Sequence, residues 1–294
     1  MSRRIETQTS RTAEMTCLSR AASYSETDVR YKSGDWVAPL ILPRFFQVLL
    51  RIGFARRIFI RRFFPPGMYE YVIARTKYID DAFRKAVQDE FAQILIMGAG
   101  FDSRAIRFPS RAGKTKVFEL DAPITQQAKI GQYQRRQISV PSNLIFVPID
   151  FERQTLSQRL TEAGFQKGCQ SLFVVEGLTM YLQPESIAQT FAVISEYAGK
   201  GSRVVFDYVL ASVLRGENLY DGESEIRELV KQVGERWRFG IEKGTAEVFL
   251  KQYGFKLVDH QDAGELKDRY FRTAEGAIAN RMNRTHCIVV GEKD

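Results

Sequence analysis

Histidine is scarce in this chain, with only His260 and His286 among 294 residues. That inventory argues against a histidine-based metal site and against a Ser/His/Asp triad. Cysteine is nearly as rare. Cys17, Cys169 and Cys287 stand far apart, in no CxxC or Cys/His pattern, so neither a disulfide framework nor a zinc site is supported and three buried thiols are expected. Long apolar runs are missing too: none reaches about 18 residues without a charge, and MSRRIETQTS at the N-terminus lacks the apolar run of a signal peptide. A soluble, cytoplasmic protein is the expectation. Acids are absent between Ile41 and Phe64, a stretch that holds six arginines and six phenylalanines.

With 44% hydrophobic residues the chain can bury a full core, as one large domain or as a domain with extra helices. The net charge of +8 permits nucleic acid, anionic lipid or acidic substrates as partners. Composition does not choose among them. In the basic segment Arg44, Arg51 and Arg62 share a face at helical spacing, and three readings are open: an ordinary cap helix, the lining of a lid, or weak contact with a membrane surface through residues 41–64. Arginine beside phenylalanine also suits RNA stacking, but there is no clear nucleic-acid motif. Nothing here fixes the oligomeric state.

Beyond residue 90 short apolar runs alternate with amphipathic stretches, the pattern of an α/β fold around a largely parallel sheet. Strands are expected at Gln93–Met97, Thr115–Leu120, Asn143–Ile149, Ser171–Val175, Ser202–Tyr208, Phe255–His260 and Thr285–Val290. Helices are expected at Pro123–Arg136, Glu152–Ala163, Pro184–Ala198 and Thr245–Tyr253. Residues 1–90 read as a helical N-terminal cap broken at Pro39, Pro43 and Pro65-Pro66-Gly67. Residues 91–294 form the Rossmann-like core, with insertions at about 210–243 and 262–283 that build the substrate side, because ligands in such sheets bind beyond the carboxyl ends of strands.

The stretch ILIMGAGFDSR from Ile94 resembles a dinucleotide loop, but Ser103 replaces the third glycine. Gly98 and Gly100 let the backbone turn tightly and approach a ligand. About 20 residues on, Glu119 and Asp121 end the second strand at the spacing that sets a carboxylate on ribose hydroxyls. The pair favours an adenosine cofactor without a pyrophosphate, which is S-adenosyl-L-methionine; NAD is the second reading. Asp150, after the third strand, suits the adenine amino group or caps the next helix, and Phe151 packs on the base or binds it through its backbone. Glu176, after the fourth strand, suits an ammonium or is an ordinary strand-end carboxylate.

Together Lys32-Ser33-Gly34-Asp35-Trp36, Ala74-Arg75-Thr76-Lys77-Tyr78-Ile79-Asp80, GAGFDSR from Gly98, FELDAP from Phe118, Ile149-Asp150-Phe151 and VEGLTMYL from Val175 resemble the leucine carboxyl methyltransferase family. That family includes bacterial polyketide-acid O-methyltransferases similar to the tetracenomycin enzyme. The resemblance implies a class I S-adenosylmethionine-dependent methyltransferase fold with a seven-stranded sheet. It implies Lys32 and Arg75 at the cofactor carboxylate, Gly98 behind the methionine tail, Asp121 on the ribose, Asp150 and Phe151 at the adenine, and Glu176 near the amino group. A buried carboxylate requires a paired cation, and arginine offers a bidentate fork.

The expected activity is O-methylation of a carboxylate on a small or medium metabolite, since a carboxylate is already ionised near neutral pH and needs no base. A phenol or alcohol acceptor is the alternative, for which Tyr208, Tyr181, Glu176 or His286 would be candidate bases. Tyr181 and Tyr208 lie at strand ends toward the substrate side, and Arg284 suits an acidic substrate. A non-catalytic nucleoside-binding protein that recruits a partner is the reading from a different class.

Overall fold

The computed structural model describes residues 11–110, 113–150, 154–234, 236–272 and 281–294. The cap begins with α1 (Arg11–Tyr24), α2 (Val37–Ile41), α3 (Arg44–Arg51), α4 (Gly53–Phe63) and the long α5 (Met68–Gln88). Pro39 does not break the chain as expected. It lies in the first turn of α2, where its missing N–H forfeits no intrahelical bond. Pro43 does precede α3, and Pro65-Pro66 separates α4 from α5. Ile52, extended at φ −86° and ψ 107°, splits the basic segment. Arg62 therefore sits on a different helix from Arg44 and Arg51, and the single basic face expected from helical spacing is not formed.

The core follows as β1 (Gln93–Met97), α6 (Arg104–Arg107), β2 (Lys116–Asp121), α7 (Pro123–Arg135), β3 (Leu144–Pro148), α8 (Leu156–Glu162), β4 (Ser171–Val175), α9 (Pro184–Tyr197) and β5 (Arg203–Val209). It ends with α10 (Ala211–Arg215), α11 (Glu223–Val233), α12 (Ala246–Gln252), β6 (Phe255–Asp262), α13 (Ala263–Phe271) and β7 (His286–Lys293). The strands form one sheet in the order β3-β2-β1-β4-β5-β7-β6, parallel except for β7, which runs antiparallel to both neighbours. This is the class I methyltransferase sheet. Every residue of β1 and β4 is buried, as both faces of a parallel sheet must be when helices cover them.

Register sets the site. Met97 pairs with Leu120 on one side and Val175 on the other, so β1, β2 and β4 end level with one another. Chain direction across the sheet reverses between β1 and β4, the place where such sheets bind ligands. The cap packs over this edge: α1, α5 and part of the sheet share one apolar core, while α8, α9 and α12 share a second on the opposite face. Of the cysteines, Cys17 and Cys287 are buried as expected, but Cys169 is only half-buried.

α5 is buried almost all round, with Tyr71, Ile73, Ala74, Arg75, Thr76, Ile79 and Asp80 inside, because it is wedged between cap and sheet. Its start is fixed by Gly67, which has φ +78° and accepts a hydrogen bond from Asn283 N at 3.1 Å. A Cβ there would stand 2.4 Å from Asn283 N, a backbone atom that cannot turn aside. Gly67→Ala should therefore cost about 2 kcal/mol or more of unfolding free energy, read as a lower urea midpoint at unchanged slope. A midpoint within error of the wild type would show that the start of α5 is not clamped.

Candidate active site

Gly98 and Gly100 follow β1 with φ +65° and +49°, and Gly177 follows β4 with φ +61°. A Cβ on Gly98 would lie 3.3 Å from Leu178, on Gly100 2.9 Å from the Ala13 methyl, and on Gly177 3.4 Å from Arg75 Nη1. Side chains at these positions would be strained and would press on Leu178, Ala13 and Arg75, which pack against the three glycine turns that form a cradle at the strand ends. Asp121 closes the cradle, accepting hydrogen bonds from Gly100 N and from Ala122 N at 2.6 Å. Burial raises its pKa against those two donors. Its carboxylate thus has acceptor capacity for which a diol is a fitting partner.

Glu119, the second ribose candidate, is held inside the protein by Lys129 Nζ at 2.5 Å, and its Oε1 has no hydrogen-bond partner among the described residues. Burial pushes its pKa up to about 7 despite Lys129. Asp150 is half-buried, and the following helix is capped by Thr155, whose hydroxyl accepts from Gln158 N. The cap reading of Asp150 therefore does not apply to α8. Phe151 lies outside the described residues, as does the expected helix start at Glu152.

Arg75 and Glu176, assigned by sequence to different parts of one ligand, meet directly at 2.9 Å. Arg75 Nη1 donates to Asp207 Oδ2 at 2.7 Å, and Asp207 Oδ1 accepts from Gly177 N at 2.6 Å. Arg75 Nη2 has no partner among the described residues. Arg104 extends the network with bonds to Glu176 Oε2 at 2.7 Å, Asp80 Oδ1 at 2.8 Å and Asp102. Arg107 grips Asp80 through two nitrogens, and Asp35 accepts from Arg20 Nε at 2.8 Å and Ser103 Oγ at 2.7 Å. Burial alone would raise Glu176 and Asp102, but the guanidiniums outweigh it: Arg104 and Arg75 lower Glu176, and Arg104 foremost draws Asp102 down to about 2.

Asp35 explains why the stretch Lys32–Trp36 stands out in the sequence: it binds that loop to Ser103 in the glycine loop. Lys32 itself is exposed, and its ammonium has no partner among the described residues. The structure does not bring it into the buried network.

Beside the cradle lies a cavity of about 680 Å³. Arg75, Gly177 and Phe101 line it at the cradle end, and Met68, Val72, Met180, Leu229, Val230 and Trp237 line it further on. The basic segment supplies Phe46, Phe59, Phe63 and Phe64 to its lining. Tyr181 borders the cavity, 3.4 Å from Thr12 Oγ1 of α1. Tyr208 and Arg284 do not border it. Tyr208 is buried with its hydroxyl 3.0 Å from His260 Nε2, and Arg284 is exposed.

Trp237 escaped assignment from sequence, whereas His286, expected as a candidate base, does border the cavity. Trp237 Nε1 is buried with no partner among the described residues, and its ring stands edge-on to His286 at 5.3 Å. His286 stacks on Tyr71 at 4.6 Å. Asn283 Nδ2 donates to Gly222 O, so Asn283 Oδ1 faces Thr285 Oγ1, whose proton it takes; Thr285 Oγ1 then accepts from His286 Nδ1 at 2.7 Å. The neutral imidazole carries its lone pair on Nε2. Burial, and then Arg75, drops its pKa to about 3. Trp237 has no local motif around it; His286 could be found only as one of two histidines.

A family model described as "Leucine carboxyl methyltransferase" matches residues 13–195. Among curated relatives, YktD of Bacillus subtilis (strain 168) is 25% identical over 199 residues, 68% of this chain and 65% of that protein. A protein of Mycobacterium sp. (strain JLS) is 33% identical over 177 residues, 60% of this chain and 54% of the relative. Both bear the name "Putative S-adenosyl-L-methionine-dependent methyltransferase". The matched stretch thus spans less than two thirds of each relative's length. A solved structure, a DUF574 family protein from Streptomyces avermitilis MA-4680, superposes with a TM-score of 0.60 at 15% identity, over 99% of this chain and 100% of that one. At that identity the likeness concerns the fold.

The depressed pKa of His286 has a measurable consequence. Its neutral form is favoured by folding, so the stability it contributes is full above the unfolded pKa of about 6.5 and is lost as pH falls from there toward about 3. Glu119 runs the other way, losing its contribution as pH rises from 4.5 through about 7. In chemical denaturation, wild type should lose stability relative to His286→Gln by up to about 1.4 kcal/mol per pH unit below 6.5. A pH-independent difference would mean that the imidazole is free to protonate in the folded protein.

Proposed function

The chain belongs to the leucine carboxyl methyltransferase family, and on that premise we propose that it is an S-adenosyl-L-methionine-dependent O-methyltransferase whose acceptor is a carboxylate on a lipophilic small or medium metabolite. The observation that carries this reading is the glycine-and-acid cradle at the ends of β1, β2 and β4, opening past Gly177 and Arg75 into an apolar cavity of about 680 Å³. When bound, the cofactor supplies an electrophilic methyl group on a sulfonium whose thioether leaves without protonation.

In this reading Asp121 holds the ribose hydroxyls, Asp150 and Phe151 the adenine, Glu176 the ammonium, and Arg75 the carboxylate of the methionine tail. Gly98, Gly100 and Gly177 make room for it. The cavity residues Met68, Val72 and Met180 exclude water around the acceptor, and orientation in such an enclosure is worth on the order of 7–11 kcal/mol. The Trp237 N–H, without a partner among the described residues, can donate to an oxygen of the acceptor. A carboxylate needs no base, which agrees with a cavity histidine held near pKa 3, far too weak to ionise a phenol in advance.

One observation favours a second reading. The Nε2 lone pair of His286 can accept a hydrogen bond, which fits a hydroxyl on the acceptor rather than a carboxylate. The two are separated by the product: a carboxylate gives an ester that releases methanol in mild alkali, whereas a hydroxyl gives an ether that does not.

Calorimetry with S-adenosylhomocysteine tests the cofactor assignment itself. Asp121→Ala should weaken binding by about 2 kcal/mol, roughly thirtyfold, with the fold unchanged by circular dichroism. Binding of NAD in place of the sulfur nucleoside, or equal affinity in the variant, would overturn the assignment. Cofactor binding without turnover on any lipophilic acid or alcohol would leave a binding protein and no enzyme.

A further inference from the structure

The outer face of α3 and α4 is exceptional on this molecule. Six large apolar side chains, Phe45, Val48, Ile52, Phe54, Ile58 and Phe63, are exposed within 19 consecutive residues, Phe54 to 77% and Phe45 to 69%. Isolated exposed apolar residues are ordinary, but a cluster of this density marks a contact surface. Interleaved with them, Arg44, Arg51, Arg57, Arg61 and Arg62 are exposed and make no ion pair among the described residues. The one arginine of the segment that is buried, Arg56, pairs with Glu26 at 2.9 Å and anchors α4 to the cap. No acid lies anywhere between Ile41 and Phe64.

The same helices roof the cavity. Pro43 and Phe63 are both exposed and line it, so one edge of its mouth lies at this face, the exposed Arg11 and Glu14 of α1 lining it elsewhere. Aromatic rings lead inward from the surface: Phe45 contacts Phe46 at 5.4 Å, Phe46 contacts buried Phe59 at 5.8 Å, and Phe59 contacts buried Phe64 at 6.4 Å, with exposed Phe63 stacked on Phe59 at 4.5 Å.

We propose that the α3–α4 hairpin docks the protein on an anionic lipid bilayer, with its phenylalanines in the headgroup region and its arginines on the lipid phosphates, so that this edge of the cavity mouth faces the membrane. Charge complementarity selects this occupant. A second copy seated on the patch in a two-fold contact would bring one arginine-rich face against another, a repulsive arrangement. An anionic bilayer satisfies both components at once, taking apolar side chains into the acyl boundary while its surface potential attracts the guanidiniums. No helix among the described residues is long and apolar enough to cross a membrane, so the contact is peripheral. The docking rests on this surface alone. Passage of a lipophilic acceptor from bilayer to cavity also rests on the methyltransferase reading.

Co-sedimentation of the full chain with phosphatidylcholine vesicles, with and without phosphatidylglycerol, tests the docking. S-adenosylhomocysteine affinity measured on the same samples keeps the two readings apart. Binding should require phosphatidylglycerol and weaken with salt. The pair Phe45→Ser and Phe54→Ser, neither of which lines the cavity, should lower partition by about tenfold or more. Arg57→Gln with Arg61→Gln should lower it too, with circular dichroism and nucleoside affinity unchanged in both pairs. Equal partition onto neutral vesicles, no partition onto anionic ones, or undiminished partition of the serine pair would overturn the proposal. So would a dimer in light scattering that the serine pair dissolves, which would assign the face to a second copy, or single-stranded RNA displacing the protein from vesicles, which would assign it to nucleic acid.

Discussion

Everything at the functional end of this molecule hangs on a set of charges that folding takes out of water together. Arg20, Arg75, Arg104 and Arg107 face Asp35, Asp80, Asp102, Glu176 and Asp207, all with side chains no more than 10% exposed. Desolvating any one of them alone would cost several kcal/mol, so each position is tolerable only while its partners are in place. The members come from α1, the loop before α2, α5, the glycine loop with α6, and the ends of β4 and β5. A fold in which the cap drifted from the sheet would strand charges on both sides.

The network also explains how binding and architecture are joined. Four guanidiniums oppose five carboxylates, and Glu176 is gripped by two of the guanidiniums, Arg75 and Arg104, one from the cap and one from the glycine loop. Asp207 accepts from Gly177 N, Arg75 and Tyr71, and so fixes the turn after β4 that forms one wall of the cradle. Arg75 belongs to both halves: it is held by carboxylates of the sheet, rides on a helix of the cap, and borders the cavity. From there the cavity runs under the phenylalanines of α3 and α4, which makes the Arg/Phe segment a roof on its inner side and a contact surface on its outer side.

Much of this was legible in the chain. β1 and β4 are apolar runs bounded by polar residues, and both were read to the residue because a strand buried on both faces has no alternation to blur its ends. Gly98, Gly100 and Asp121 were legible through their spacing, which reflects the geometry of one strand–loop–strand unit. Other features were not. Pairing of Arg75 with Asp207 joins residues 132 apart, and no local pattern announces it. Arg104 lies in GAGFDSR with nothing local to announce its role, since a buried arginine and a surface one look alike in sequence. Trp237 reaches the cavity only because the chain after β5 folds back to bridge Leu210 with Ile241. The expected single basic face failed for a local reason, the extended backbone at Ile52.

The central claim is that cap and sheet form one binding unit coupled through these charges. Amide hydrogen exchange with and without S-adenosylhomocysteine tests it directly, because local opening energies resolve which elements the ligand holds. Coupling through these charges predicts slower exchange on binding in α1, in α5 around Arg75, and in the loop from Gly98 to Ser103 together. Protection confined to that loop, with α1 and α5 exchanging as in the free protein, would contradict it.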